Sequence, residues 1–189
     1  MFKRTGWIIG VIAGFLFIVG LQSADAEHRG HRHIRSTFGG TYLDLPDLSP
    51  DGLTASWSTG QGSNTLGTYI SQGISQPVYQ GVDLTGKCLG VLLVIDAEGG
   101  SGFGFSTETY SNGDQIYYQV RTRTECLDDQ NGFTGSDTGD IVGGTGRFAG
   151  VSGTYESSFA GVRQFLNTPQ EFGSFTGEAT GILVFPHER

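Results

Sequence analysis

Between Asp140 and Tyr155 the chain reads Asp-Ile-Val-Gly-Gly-Thr-Gly-Arg-Phe-Ala-Gly-Val-Ser-Gly-Thr-Tyr, five glycines in sixteen residues. A glycine costs a helix interior about 1 kcal/mol relative to alanine, so this density suits a helix poorly. The glycines are set among β-branched and aromatic residues, Ile141, Val142, Thr145, Phe148, Val151 and Tyr155, which suits a pleated, sharply turning strand. The rest of the chain has the same bias. Glycine accounts for 32 of 189 residues, there is one methionine, and the only lysines are Lys3 and Lys87. Thr, Val, Tyr and Phe are plentiful, so the expected fold class is all-β.

The N-terminus reads as an export signal. Lys3 and Arg4 precede an apolar run from Trp7 to Leu21, and Ala24-Asp25-Ala26 offers a small-residue cleavage site. The run is shorter than the roughly 20 residues a membrane-spanning helix needs, so cleavage is expected and no membrane association afterwards. The expected organisation is a signal peptide at 1–26 and a flexible His/Arg-rich leader at 27–37. A single β domain at 38–186 and a tail at 187–189 follow. The product is expected to be secreted or periplasmic. The formal net charge is −8, and an acidic body repels nucleic acid phosphates, so no nucleic acid partner is expected.

Turn signals divide the domain. Pro46, Pro50 and Asp51-Gly52 break the stretch from Phe38 to Thr59. Thr65–Ile74 is a candidate strand, and Cys88–Ile95 is almost continuously apolar, which demands cover on both faces. Asn112-Gly113 predicts a two-residue hairpin turn. Folding there sets Thr109 opposite Ile116, Thr107 opposite Tyr118, Phe105 opposite Val120 and Phe103 opposite Thr122. One face is then mostly apolar or β-branched, and the other carries Glu108, Arg121, Arg123 and Glu125. Asp128–Gly139 reads as a polar loop, and Asp140–Phe148 with Val151–Ala160 as the next strand pair. Phe172–Phe185 reads as a closing strand. Roughly eight strands at this spacing predict a sandwich or a barrel. A strand at the very end removes an exposed edge, which favours a closed barrel.

The run Gly143-Gly144-Thr145-Gly146-Arg147-Phe148-Ala149-Gly150 resembles a segment of the allene oxide cyclase and dirigent barrels. Asn112-Gly113-Asp114 and Gly153-Thr154-Tyr155 are similar to neighbouring parts of the same pattern, and the resemblance covers roughly residues 80–186. It implies the bacterial-type branch of that family and an eight-stranded antiparallel β-barrel with an apolar lumen. It also implies assembly as a homodimer or homotrimer. Some members bind or cyclise small hydrophobic molecules. The matching glycines are turn and packing residues, so no catalytic residue is carried over.

Candidate sites follow from residue type. Gly144-x-Gly146-x-x-Ala149 imitates a dinucleotide fingerprint but lacks the following helix that would hold a pyrophosphate. Histidine occurs only at His28, His31, His33 and His187, so a Ser-His-Asp or Cys-His centre inside the domain is excluded unless a tail folds back in. The three leader histidines offer weak copper or zinc binding, with a plain cationic leader as the simpler reading and no metal site expected. Cys88 and Cys126 are either bridged, as an exported pair should be, or free and buried. A simple meander of their strands would hold them roughly 20 Å apart. Asp128, Asp129, Asn131, Asp137 and Asp140 read as a solvated acidic loop. The lumen candidates are Phe103, Phe105, Tyr118 and Val120. Glu108, Arg121 and Arg123 are the polar candidates if their face turns inward.

Two functions fit. One is a secreted barrel that binds a small hydrophobic molecule, or steers its cyclisation, without a cofactor; as an enzyme it would be an isomerase or cyclase. The other is a structural or interaction barrel filled by its own side chains. A cavity of about 300 Å³ or more with a convergent ionisable group separates them.

Overall fold

The computed structural model describes residues 30–45, 55–82, 88, 91–128, 131–164 and 171–186. The expected signal peptide and the last three residues lie outside these. The described chain is all β apart from one short 3₁₀ turn: β1 (His31–Asp44), β2 (Ser56–Asn64), β3 (Gly67–Gln76), β4 (Val78–Val82), β5 (Val91–Asp96), β6 (Phe103–Tyr110), β7 (Gln115–Leu127), β8 (Gly132–Gly144), β9 (Ser152–Gln164) and β10 (Phe172–Val184). Eight of them pair antiparallel in a closed ring, β7-β6-β3-β2-β1-β10-β9-β8 and back to β7. β10 closes it against β1 through thirteen residue pairs, His31↔Val184 to Leu43↔Phe172.

The first strand starts at His31, so residues 31–37 are part of the barrel wall and pair with β10 instead of leading loosely into it. Residues 132–139, expected as a loop, form most of β8. Their periodicity was hidden because the inward positions are Phe133, Gly135, Asp137 and Gly139, only one of them apolar and large. The glycines make room for rings. A Cβ on Gly139 would lie 2.5 Å from the Tyr155 ring, and one on Gly135 would lie 2.4 Å from that of Phe159.

β5, β6 and β7 do not form a simple meander. β5 and β6 both run antiparallel to β7 along the same edge, β6 beside Gln115–Gln119 and β5 beside Thr122–Leu127. A four-residue excursion, Ala97–Gly100, interrupts what is otherwise one continuous stave, and an Asp96↔Ser101 bridge closes its neck. β4 pairs with β5 as β3 pairs with β6.

The Asn112-Gly113 hairpin exists, but its register differs by one residue from the expected one. Thr109 faces Gln115, Thr107 faces Tyr117 and Phe105 faces Gln119. The Gly113 amide donates to the Tyr110 carbonyl and the Tyr110 amide to the Asp114 carbonyl. This is a three-residue loop, a type I turn closed by Gly113 at φ 87°. The one-residue slip turns the faces of β6 over relative to those of β7. Gly104, Ser106, Glu108 and Tyr110 therefore face inward on β6, opposite to expectation. A bulge between Val120 and Thr122 then shifts β7 by one residue, so Ile116, Tyr118 and Val120 face inward, and above them Arg123, Glu125 and Leu127.

The glycine-rich run plugs one end of the cylinder. Gly146–Phe148 form the 3₁₀ turn, and Phe148 is buried under the barrel with its ring 5.1 Å from that of Tyr110. Ile116, Ile141, Val151 and Leu183 complete this floor. Arg147 locks the plug from outside. It lies 5.2 Å over the Tyr110 ring, pairs with Asp114 at 3.3 Å and donates to the Leu66 carbonyl.

The outer wall has one unusual region. From Thr37 to Leu43 and throughout β2, β3 and β6, no outward-facing residue is charged. Cross-strand pairing lines up Leu43, Trp57, Ile74 and Phe105 directly across it.

Candidate functional site

The barrel is not solid. A cavity of about 470 Å³ lies inside it, well above the size that separates a ligand chamber from a side-chain-filled interior. Its two ends differ chemically.

The lower end, above the Phe148 plug, is built round Glu108. Its carboxylate accepts hydrogen bonds from the hydroxyls of Tyr110 and Tyr118, each at 2.9 Å, and from that of Tyr69. Asn64 Nδ2 donates to the Tyr110 hydroxyl at 2.9 Å, and Ser36 hydrogen-bonds Tyr69. The three phenols and Glu108 come together because inward positions at the start of β3 and the end of β6 pair, Tyr69 facing Tyr110, beside the start of β7; β1 and β2 add Ser36 and Asn64. Burial raises the carboxyl above its ordinary value, and the three hydroxyl donors offset only part of that. The same burial, with the neighbouring carboxylate charge, raises Tyr110 and Tyr118.

The upper end is charged. Arg123 Nε and Nη2 hold Asp137 Oδ1 and Oδ2 at 2.7 and 3.0 Å, and Nη1 donates to Ser75 Oγ at 3.1 Å. The guanidinium also sits 5.3 Å over the Phe159 ring. Burial alone would lower the Arg123 pKa; the Asp137 charge and hydrogen bonds outweigh it and hold it raised. Beside this pair stand Asp44, which takes a hydrogen bond from Ser56 Oγ, and Glu171, which takes one from the Tyr42 hydroxyl at 3.2 Å. Glu125 completes the group. Burial raises all three carboxyls; Arg123 and Arg163 pull Glu125 back in part, and Asp44 pushes Glu171 up further.

These shifts predict a pH dependence. A raised folded-state pKa means that the folded chain holds its proton more tightly than the unfolded chain. The contribution to stability is complete below the ordinary values of 3.8 for Asp and 4.5 for Glu, and is lost as pH rises through the folded values. Thermal unfolding is therefore expected at a higher temperature near pH 5 than near pH 7.5, with a shallower slope in Glu108→Gln. A melting temperature that climbs over this interval contradicts burial-driven shifts.

Of the residues singled out in the sequence, Tyr118 and Val120 line the lumen and are buried. Phe103 and Phe105 do not project into it. Their rings pack against each other at 6.2 Å on the opposite face from Gly104, and Phe105, although it borders the cavity wall, is 46% exposed. Glu108 and Arg123 are inside, at opposite ends. Arg121 is outside, paired with Asp140. The hairpin slip moves the phenylalanines out and Glu108 in, and the bulge separates Arg121 from Arg123. Asp137, expected in a solvated loop, is a buried partner of Arg123. Cys88 and Cys126 form a disulfide with Cα atoms 5.5 Å apart. The meander geometry that would separate them does not occur, because β5 lies beside the upper half of β7 and Leu92 faces Cys126. His31 and His33 lie exposed on β1.

Sequence reasoning missed Tyr42, Tyr69, Tyr110, Asp44 and Glu171. The available signal was period-two spacing from Phe38 through Tyr42 to Asp44, but an acid at the end of a strand reads as a turn residue unless the lumen is known to be polar.

No protein-family model matches the chain, and no curated protein matches it in sequence. Among solved structures, a pterocarpan synthase dirigent protein is similar to it at 12% identity, over 86% of this chain and 91% of that one, with a TM-score of 0.39. The closed barrel rests on the ring of strand pairings, and the character of the site on the side chains that converge within it.

Proposed function

We propose that this chain is an exported barrel that takes a small, largely apolar molecule into its lumen and steers its ring closure. The observation that carries the reading is the cavity of about 470 Å³ with Glu108 converging on it. Walls such as Tyr118, Tyr155 and Phe38 would hold one folded conformer of the guest, which converts a loose encounter into an oriented one. Glu108, desolvated and fixed by three phenols, would give a proton to a carbonyl or ether oxygen and recover it when the ring has closed. A rearrangement of that kind consumes no co-reactant and needs no cofactor. A barrel filled by its own side chains is disfavoured by the volume of the lumen. The Cys88–Cys126 disulfide suits an oxidising compartment.

Native mass spectrometry of protein purified from its own host tests the binding reading. A retained small molecule supports it, and a bare chain in every preparation removes it. Glu108→Gln is expected to keep the retained molecule while abolishing turnover of it, by 10²-fold or more. Unchanged turnover in that variant removes Glu108 as proton donor.

Self-association as a homodimer or homotrimer belongs to the same reading. Chains of net charge −8 repel one another. The uncharged outer face of β2, β3 and β6, with Trp57, Ile70 and Phe105 exposed on it, is where two copies meet at the least electrostatic cost. Light scattering is expected to show an oligomer that Trp57→Arg reduces to the monomer. A monomeric parent at micromolar concentration contradicts it.

A further inference from the structure

Among the described residues, the upper end of the lumen holds more acid than its bases neutralise. Asp44, Glu125, Asp137 and Glu171 border the cavity there, against Arg123 and Arg163. Arg123 is committed to both oxygens of Asp137. Arg163 donates through Nη2 to the Asp128 carbonyl at 2.7 Å, and its buried Nε has no partner among the described residues. Among the described residues, three carboxyls therefore share one remaining guanidinium. Glu125 is the sharpest case. It borders the cavity, is enclosed by protein, and takes no hydrogen bond from any described residue. An enclosed carboxyl without a donor is costly unless something arrives to pair with it.

The surroundings are aromatic. Tyr42 and Phe133 pack edge to face at 5.7 Å, and Phe133 and Phe159 at 6.2 Å. Ring faces attract cations, and Phe159 already accommodates the guanidinium of Arg123. Acid in excess of the described bases, set in an aromatic chamber, is the chemistry that recognises an ammonium group on an apolar body. It does not suit an anion. Among the described residues no group of three His, Cys, Asp or Glu side chains is placed to hold a metal ion.

We propose that the guest of this cavity is an organic amine, its ammonium held among Asp44, Glu125 and Glu171 and its apolar body between the lumen rings. The proposal rests on the lumen-binding reading above and adds the sign of the ligand's charge. A bound ammonium would also return the three burial-raised carboxyls toward ionisation.

The test uses the full chain, oxidised and folded, with three probes that share an indole: tryptamine, tryptophol and indole-3-propionate. Titration calorimetry near pH 7.5, where the amine is protonated, is expected to show tryptamine binding at least about tenfold tighter than tryptophol, with the propionate weakest. Glu125→Gln, or Glu171→Gln should the first variant fold poorly, is expected to remove most of that advantage and leave tryptophol unchanged. Tryptophol binding as tightly as tryptamine overturns the amine proposal and leaves the lumen as an apolar chamber. An advantage that survives both substitutions overturns it as well. Failure of all three probes to bind removes the lumen-binding reading together with the proposal.

Discussion

Arg123→Leu is expected to destabilise the barrel by about 3–5 kcal/mol, because it leaves Asp137 buried without its partner. Asp137 is 8% exposed, and both of its oxygens are held by Arg123. The lost packing of the guanidinium on Phe159 adds to the charge effect. Urea unfolding should report the loss, and thermal unfolding should fall by about 2–4 °C per kcal/mol for a chain of this size. Combining Arg123→Leu with Asp137→Leu is expected to restore most of the stability, because the penalty comes from the stranded charge and not from absence of the pair. A single variant within about 0.5 kcal/mol of the parent would mean that water reaches Asp137 freely.

Reduction of Cys88–Cys126 is the second large effect. The bridge closes a loop of sequence separation 38, for which the loss of unfolded-chain entropy amounts to about 4 kcal/mol. It also ties the segment entering β5 to the end of β7, at the stave that Ala97–Gly100 interrupts. The urea midpoint should fall under reductant, and a Cys88→Ser, Cys126→Ser double variant should fall equally without it. A midpoint indifferent to reductant would show that strand pairing alone holds this stave. The bridge and the Arg123–Asp137 pair share β7, so their losses are not expected to add simply.

The fold class was legible in the sequence because glycine and β-branched residues act locally. The all-β content, the Asn112-Gly113 hairpin and the closing strand at Phe172 each follow from a short stretch of chain. The orientation of the site was not legible, and two single-residue events explain why. Asn-Gly serves a two-residue turn and, with Gly113 in the left-handed region, a three-residue turn equally well; only cross-strand packing decides between them. The bulge at Arg121 contains no glycine to announce it. Each event changes which face a residue occupies. Phe103 and Phe105 therefore point away from the lumen, Glu108 enters it, and Arg121 and Arg123 fall on opposite sides of the wall. The expectation of an apolar interior also hid β8, whose inward residues are mostly glycine and Asp137. A chamber lined by Ser71, Ser106 and Ser157 as well as by rings does not betray itself as core.

The pairing of the first strand with the last has a consequence for synthesis. Contacts between His31–Leu43 and Phe172–Val184 join the two most distant parts of the domain, and such long-range closures come late. Until Phe172–Val184 has emerged from the ribosome, the strands already made form an open sheet with two bare rims, able to pair with a neighbour's. Protection against that fate arrives with the thirteen residues of β10, so a chain interrupted before that strand is exposed to aggregation in a way the closed cylinder is not.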